Sequence, residues 1–328
     1  MAKRKSNPHS DETLPLVIVN PKSASGSTQS NWSGTAADLR AHFGPFSVAF
    51  TKSQGDAIDI AERAAKSGRK FIIACGGDGT INEVANGILR SGKDAELGVL
   101  PSGTGGDFRR TLGLPNSNRE AAVALRTGET KTIDAGRVTF EDFDGKTVSR
   151  YFLNVSSFGL AASIIKRVKS AKVFDWLPLE SLRGQANFAA STLQEVLNLD
   201  PVTIRVQLDD GEERTVQTIN FCVANSRYFG GGMMIAPEAK INDGFLDVIN
   251  IGDISTAKIL LNAITLYRGT HLDLKEVHDT LARRVTVRAA DDATEIRLET
   301  DGELPGRLPA VYEIVPGALR VRVPRNSN

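Results

Sequence analysis

Short apolar runs and helical patterns alternate over the first part of the chain. LVIVN (16–20) predicts a strand, and it runs into NPKSASGS, whose Asn, Pro, Ser and Gly predict a turn. NWSGTAADLRAH (31–42) can form a helix, and FSVAFT (46–51) predicts a second strand. In GDAIDIAERAAKSG (55–68), Ile58, Ala61 and Ala65 share one helical face, charges take the other, and Gly68 is a stop. FIIAC (71–75) is apolar throughout, as expected of a strand covered on both faces. A helix over INEVANGILRSG (81–92), a strand over ELGVLP (96–101) and a helix around 117–127 follow. Strands alternating with helices at this spacing predict a parallel α/β sheet.

The pattern changes near residue 132. TIDAGRVTFEDFDGKTVSRYFLNVSSFG holds alternating strands around a turn at Asp144–Gly145, and VTIRVQLDDGEERTVQTINFCVAN repeats the theme at Asp210–Gly211. Four further short strand patterns follow, with one helical segment at about 181–198. This half predicts an antiparallel β-sandwich.

Composition narrows the class. The chain has 328 residues, 41% hydrophobic and 24% charged, which is ordinary for a globular protein with room for two domains. Forty basic against thirty-nine acidic residues argue against a general nucleic-acid binder. Cys75 and Cys222 lie in apolar runs and read as packed thiols in a reducing compartment rather than a disulfide. No apolar stretch reaches membrane-span length, and residues 1–13 are polar, without a secretory h-region. The expectation is a cytoplasmic protein with a disordered tail over 1–13, touching a membrane only peripherally. Oligomeric state is not encoded in any pattern here, and a homodimer is compatible with it.

The chemistry starts at GGDGT (76–80), which ends a buried strand and opens a helix. A helix N-terminus presents unpaired N–H groups and suits phosphate, and glycine lets the backbone approach closely. Neither GxGxxG nor the GK[ST] of a Walker loop is present. A lone Asp78 would repel a polyphosphate, so it points to a divalent cation between carboxylate and phosphate. The plain alternative is a helix-capping aspartate. LGVLPSGTGGDF (97–108) repeats the arrangement, and NPKSAS (20–25) follows the first strand. Loops after parallel strands share one sheet edge, where ligands bind. Asp78 and Asp107 could then face one metal, with Thr104 offering a hydroxyl and Lys22 and its neighbouring serines binding phosphate. Lys22 reads equally as a solvated surface lysine.

NPKSASG, GGDGTINEVANGI and LPSGTGGDF, in this order, resemble the diacylglycerol kinase catalytic family, which includes bacterial lipid kinases and the sphingosine and ceramide kinases. The resemblance continues through NVSSFGL (154–160), GGGMMIAPEAKINDGFLDV (230–248) and TDGE (300–303). It implies a Rossmann-like, phosphofructokinase-like α/β nucleotide domain over 14–134, completed by a returning segment 307–328, and a β-sandwich acceptor domain over 135–306, with the active site between them. It implies ATP contacts at Asn20, Pro21, Lys22, Ser23, Thr51, Gly77, Asp78, Gly79, Thr80, Ile81, Asn82, Glu83 and Thr104. One departure is plain: the family's GTxNDF has Asn where this chain has Gly106.

Glu303 matches the family's proton acceptor and Asp301 its supporting acid; as plain structure, TDGE is a turn. In AKINDGF (239–245), related kinases hold a structural cation with the carbonyls matching Lys240 and Phe245 and the side chain matching Asp243. Such a set suits Mg²⁺ or Ca²⁺, and a turn that binds nothing is the even alternative. SIIKRVKSAKVFDWLP (163–178) mixes four cations with Ile, Val, Phe and Trp, and can lie on an anionic membrane or pack as an ordinary helix. Met233 and Met234 can line an acyl slot or belong to the core. His42, His271 and His278 lack metal-ligand spacing. The leading expectation is an ATP- and Mg²⁺-dependent lipid kinase acting on diacylglycerol or a related lipid at a membrane surface. A soluble-substrate kinase of the NAD kinase type and a non-catalytic sensor are the rivals.

Overall fold

The structure is a computed structural model that describes residues 14–102, 106–170, 194–196, 200–291 and 293–325. The chain divides into two compact units: residues up to Ile133 together with those from Gly317, and Asp134–Pro316.

The first unit is built on a parallel sheet of β1 (Leu16–Val19), β2 (Ser47–Phe50), β3 (Phe71–Gly76) and β4 (Glu96–Pro101). Their order is β2–β1–β3–β4, with Ile18 opposite both Ala49 and Ala74 and Ile73 opposite Gly98. β1 and β3 are buried along nearly their whole length, as apolar runs covered on both faces must be. The helices are α1 (Ser27–His42), α2 (Asp56–Lys66), α3 (Asp78–Ser91), α4 (Asp107–Thr111) and α5 (Asn118–Thr127). α1 begins four residues before the expected start at 31, because NPKSASG closes into a tight 3-10 turn at Ala24–Gly26. α2 and α3 meet at Gly87, where a Cβ would lie 2.3 Å from the Ile58 carbonyl oxygen. Only glycine permits that approach.

The second unit is antiparallel. β5 (Glu129–Glu141) enters it and pairs with β6 (Thr147–Phe152) through the expected Asp144–Gly145 turn. β7 (Val155–Gly159) leads into α6 (Leu160–Ser170). β8 (Val202–Leu208) and β9 (Arg214–Thr218) form the second expected hairpin. β10 (Asn220–Ala224) and the short pair β11 (Tyr228–Phe229) and β12 (Met233–Met234) precede β13 (Leu246–Ile251) and the helix α7 (Thr256–Arg268). β14 (Val277–Ala282), β15 (Arg284–Ala289), β16 (Arg297–Thr300) and the long β17 (Glu303–Val323) complete it. One path runs β14–β13–β10–β7–β16–β17, and β17 also pairs with β15, which continues to β8 and β9. The core between these layers holds Phe140, Phe152, Phe158, Phe221, Leu298 and Tyr312, with the Phe158 and Phe221 rings stacked at 5.2 Å.

β17 is the segment that returns. Its Arg320 and Val321 lie parallel to Glu96 and Leu97 of β4, and it belongs to the first unit from Gly317, ten residues later than the 307 read from the sequence. Arg322 anchors it there with a fork on Glu96, at 2.6 and 2.9 Å. Cys75 and Cys222 are free and buried, and burial pushes the Cys75 thiol up to about 12 and the Cys222 thiol higher still.

Candidate active site

In the first unit the loops after β1, β3 and β4 are stitched together at one sheet edge. Asn20, the residue after β1, donates its backbone N–H to the Cys75 carbonyl at 3.0 Å and its side-chain amide to Thr80 Oγ1 at 3.1 Å. Its Oδ1 accepts the Lys22 N–H, and its carbonyl accepts Ser23 Oγ at 2.8 Å. Ser23 bonds Thr28 at 2.7 Å, and Thr28 bonds Ser102, whose N–H reaches the Gly76 carbonyl at 3.0 Å. Thr51, after β2, is buried and donates its N–H to Val19 at 2.9 Å. Pro21 and Lys22 complete the first loop; Lys22 is exposed.

Asp78 is the first residue of α3, with Gly77 as its extended N-cap, a residue that has no side chain to cap that end. The early N–H groups of such a helix have no partner within it. A Cβ on Gly79 would meet open space, whereas one on Gly76 would lie 2.5 Å from Thr80 Oγ1. Gly76 therefore sets how closely β3 approaches the helix it feeds. The Asp78 carboxylate lies across the start of α4, accepting the N–H groups of Asp107 at 3.2 Å and Phe108 at 3.1 Å. It is thus a cap, on the neighbouring helix rather than its own. Asp107 is buried, and its carboxylate pairs with Arg110 at 3.0 Å. The sequence reading allows both carboxylates to face one metal; in the structure the Asp107 N–H donates to Asp78 and the Asp107 carboxylate pairs with Arg110.

Further along α3 the side chains work inside the unit. Ile81 is 2% exposed, Asn82 accepts from the Asn86 amide, and the Glu83 carboxylate caps α2 through Gly55 and Ala57 at 2.9 and 3.2 Å. Thr104 lies outside the described residues. Gly106 takes φ +65°, in the left-handed region where Asn is the best-tolerated side chain after Gly. Either Gly or the Asn of the family pattern can take that backbone, and Gly lacks the side-chain amide.

The second unit holds the other carboxylates. Asp301 sits in a left-handed conformation, φ +46°, followed by Gly302 at +84°. Its carboxylate accepts three consecutive backbone N–H groups, from Leu153 at 2.8 Å, Asn154 at 3.0 Å and Val155 at 3.1 Å, and its own N–H returns to the Val155 carbonyl. Glu299 is 3% exposed; it accepts Ser157 Oγ at 2.7 Å and the Gly302 N–H at 3.0 Å. The turn carrying Glu303 is therefore held from both sides. Glu303 Oε2 pairs with Arg150 at 3.1 Å. Sequence reasoning missed Arg150, Glu299, Thr28 and Ser102. Arg150 stands 153 residues from its partner, and no local pattern reports such a pair.

The loop 240–245 is pinned by buried Asp134, whose N–H donates to the Ile241 carbonyl at 2.7 Å and whose Oδ2 accepts Gly244 N–H at 2.8 Å. Asp243 is exposed and accepts the Phe245 N–H at 3.1 Å. Burial, and then Asp243, Asp279 and Glu238, push Asp247 up to about 7. Among the described residues no group of three or more His, Cys, Asp or Glu side chains could hold a metal ion. Mg²⁺ commonly takes one or two carboxylates with substrate phosphates, so a site centred on Asp78 needs no such cluster. His271 is buried against the Ile235 carbonyl at 3.0 Å. Met233 packs near Gly230 and Met234 near Gly269. Of the basic, apolar stretch, 163–170 lies in α6 and 171–178 outside the described residues.

Comparison with known proteins gives this geometry its context. Residues 15–138 match the diacylglycerol kinase catalytic domain, and 155–323 match the YegS C-terminal NAD kinase beta sandwich-like domain. A diacylglycerol kinase of Mycobacterium tuberculosis is 30% identical over 312 residues, covering 94% of this chain and 95% of its own. One of Bacillus subtilis is 30% identical over 276 residues, 84% of each. A crystal structure of a diacylglycerol kinase from Bacillus anthracis superposes with a TM-score of 0.68 at 23% identity, over 94% of this chain and 96% of that one, and shares the fold. By sequence over most of its length, the chain belongs to the diacylglycerol kinase family, a family of lipid kinases.

Proposed function

We propose that this chain transfers the γ-phosphate of Mg-ATP to a lipid hydroxyl, with diacylglycerol as acceptor and phosphatidic acid as product. The observation that carries the reading is the Asp78 carboxylate, fixed by the N–H groups of Asp107 and Phe108 where two glycine-rich loops meet. Each carboxylate oxygen keeps acceptor capacity beyond its one backbone N–H. Asp78 would hold Mg²⁺, which when bound neutralises charge on the β- and γ-phosphate oxygens. The start of α3, with glycine as its N-cap and open space at Gly79, suits phosphate through its N–H groups. Asn20, Lys22, Ser23 and Thr51 supply polar groups after β1 and β2. Glu303 would take the proton of the lipid hydroxyl as its oxygen bonds to the γ-phosphorus and the bond to the bridging oxygen breaks, releasing ADP. Asp301 and Glu299 act through that turn as positioning residues. The loop with Lys240, Asp243 and Phe245 would hold a structural Mg²⁺ or Ca²⁺ through two carbonyls and one carboxylate.

The test is transfer from labelled ATP with Mg²⁺ to a panel of acceptors in mixed micelles: diacylglycerol, monoacylglycerol, phosphatidylglycerol, sphingosine and ceramide, with NAD as the soluble control. Labelled diacylglycerol is the expected result. Label in another lipid renames the acceptor, and label in NAD alone overturns the reading. ATP binding without transfer to any acceptor favours a sensor.

A further inference from the structure

α7 is an ordered helix with an apolar face left in solvent. None of its thirteen residues is buried. Leu260, Leu261, Ile264 and Tyr267 are 48, 81, 54 and 51% exposed, which makes them half of the large hydrophobics left exposed among the described residues. Positions i, i+1, i+4 and i+7 share one helical face, so these four form a continuous stripe. The helix is firmly held from the other side. Leu266 packs on the cluster around Ile235, Ala236 and Ala239. Ser255 caps the first turn, Lys258 forks onto Glu276 at 2.8 and 2.7 Å, and Gly269 ends the helix at φ +70°. A held helix keeps its apolar face outward only at a cost in hydration, which an occupant would relieve.

We propose that the occupant is an anionic lipid surface, into which the Leu260–Leu261–Ile264–Tyr267 face inserts shallowly. The charge pattern supports this. TAKILLNAITLYR contains no Asp or Glu; of its two cations Lys258 is paired with Glu276, which leaves Arg268. Arg268 is exposed beside Tyr267, and Lys275 is exposed in the segment that follows. The neighbouring exposed acids, Asp253 and Asp273, fall before and after the helix. An acid-free amphipathic helix with an aromatic residue and an arginine at its end is an arrangement that lies in a bilayer interface. A second copy of the chain fits less well: a stable dimer buries roughly 800 Å² and about 20–30 residues per partner, and this stripe is four large side chains on one helix. The choice of lipid rests on the lipid-kinase reading, because an acceptor that resides in a bilayer must be met at its surface. The sequence reading places that contact in 163–178, of which 171–178 lie outside the described residues.

The experiment is flotation of the full chain with vesicles of phosphatidylcholine alone or mixed with phosphatidylglycerol, comparing wild type with Leu261→Glu/Ile264→Glu. Both side chains face solvent, and an unchanged melting temperature verifies the fold; Leu261→Ser is the milder variant. Wild type should bind the anionic vesicles, the double variant about 100-fold more weakly, and Leu261→Ser in between. Turnover of a short-chain, monomerically soluble diacylglycerol should be equal in both, while turnover of vesicle-borne diacylglycerol falls in the double variant. Equal vesicle binding by wild type and double variant would overturn the proposal. So would vesicle binding kept while size exclusion shows a wild-type dimer and a variant monomer, which assigns the stripe to a second copy. A wild type that phosphorylates no lipid yet loses vesicle binding on substitution would sink the kinase reading and leave this surface standing.

Discussion

Arg150 holds Glu303 by an ion pair of 3.1 Å between strands 153 residues apart. The contact fixes Oε2 of the proposed base and so orients the whole carboxylate. Glu303→Gln should lower kcat by about 10²–10⁴-fold with the KM for ATP little changed, the usual reach of a general base. Arg150→Met should lower kcat by about tenfold, since the base stays but loses its orientation. Steady-state kinetics on micellar diacylglycerol decide both. A Glu303→Gln variant that fails to bind ATP would move this residue into the nucleotide pocket.

Asp301 is a structural clamp before it is anything else. Its carboxylate satisfies three N–H groups of buried residues 153–155, and Asp301→Ala leaves all three without it. Unpaired buried donors cost about 1–3 kcal/mol each, and Ala also tolerates the left-handed backbone poorly. The expected loss is about 3 kcal/mol or more by chemical denaturation, with turnover falling alongside. Asp301→Asn keeps one acceptor oxygen and the backbone preference, so it should recover part of the stability. Wild-type stability in the alanine variant would refute the clamp.

Asp78→Ala should abolish transfer, by about 10³-fold or more, while the variant remains folded. Asp78→Asn separates two roles. Its single oxygen can still accept one N–H from α4, but its neutral amide has no charge for a cation. If Asp78 only capped α4, Asn would restore most activity; if it holds Mg²⁺, Asn should resemble Ala. Turnover measured across a Mg²⁺ titration distinguishes the two.

The loop 240–245 offers a separate test. If Asp243 and the two carbonyls hold a divalent ion, Mg²⁺ or Ca²⁺ should raise the melting temperature of wild type and leave that of Asp243→Ala unmoved. An equal response in both would mean that Asp134, with its two bonds to this loop, suffices to shape it.

Much of this architecture is legible in the sequence because its signals are local. Apolar runs such as LVIV and FIIAC, the DG turns at 144 and 210, and GGDGT each dictate their own geometry from adjacent residues. What the sequence hid is the long-range polar wiring. Asp78 capping α4, Glu83 capping α2, Arg150 on Glu303 and Glu299 on Ser157 join residues that no periodicity brings together. For the same reason Asp78 and Asp107 look alike in sequence, two acids after two glycine-rich turns, and their different contacts, backbone N–H groups for one and Arg110 for the other, show only in the structure. α7 shows the opposite limit. The sequence reading places the one helix of this half at about 181–198, mostly outside the described residues, and offers none over Thr256–Arg268, so only the structure reveals α7 and which of its apolar residues the core leaves out.

The Glu96–Arg322 fork should govern how the returning strand responds to acid. Glu96 is 6% exposed; burial alone would raise its pKa, but hydrogen bonds from Arg322 and Thr130 and the Arg322 charge outweigh it and leave it lowered from 4.5. A carboxylate with a depressed folded pKa binds protons more readily in the unfolded chain. Its stabilising contribution is therefore complete above about pH 4.5 and is lost as pH falls through the lower folded value. Glu96→Gln leaves the Arg322 guanidinium without its charge partner at the sheet, which costs about 3 kcal/mol at pH 7. The gap between wild type and variant should be constant from pH 7 to about pH 5 and narrow below pH 4.5. Urea unfolding of both proteins across that range provides the measurement. A gap that stays constant into stronger acid would mean that Glu96 contributes by packing rather than by charge.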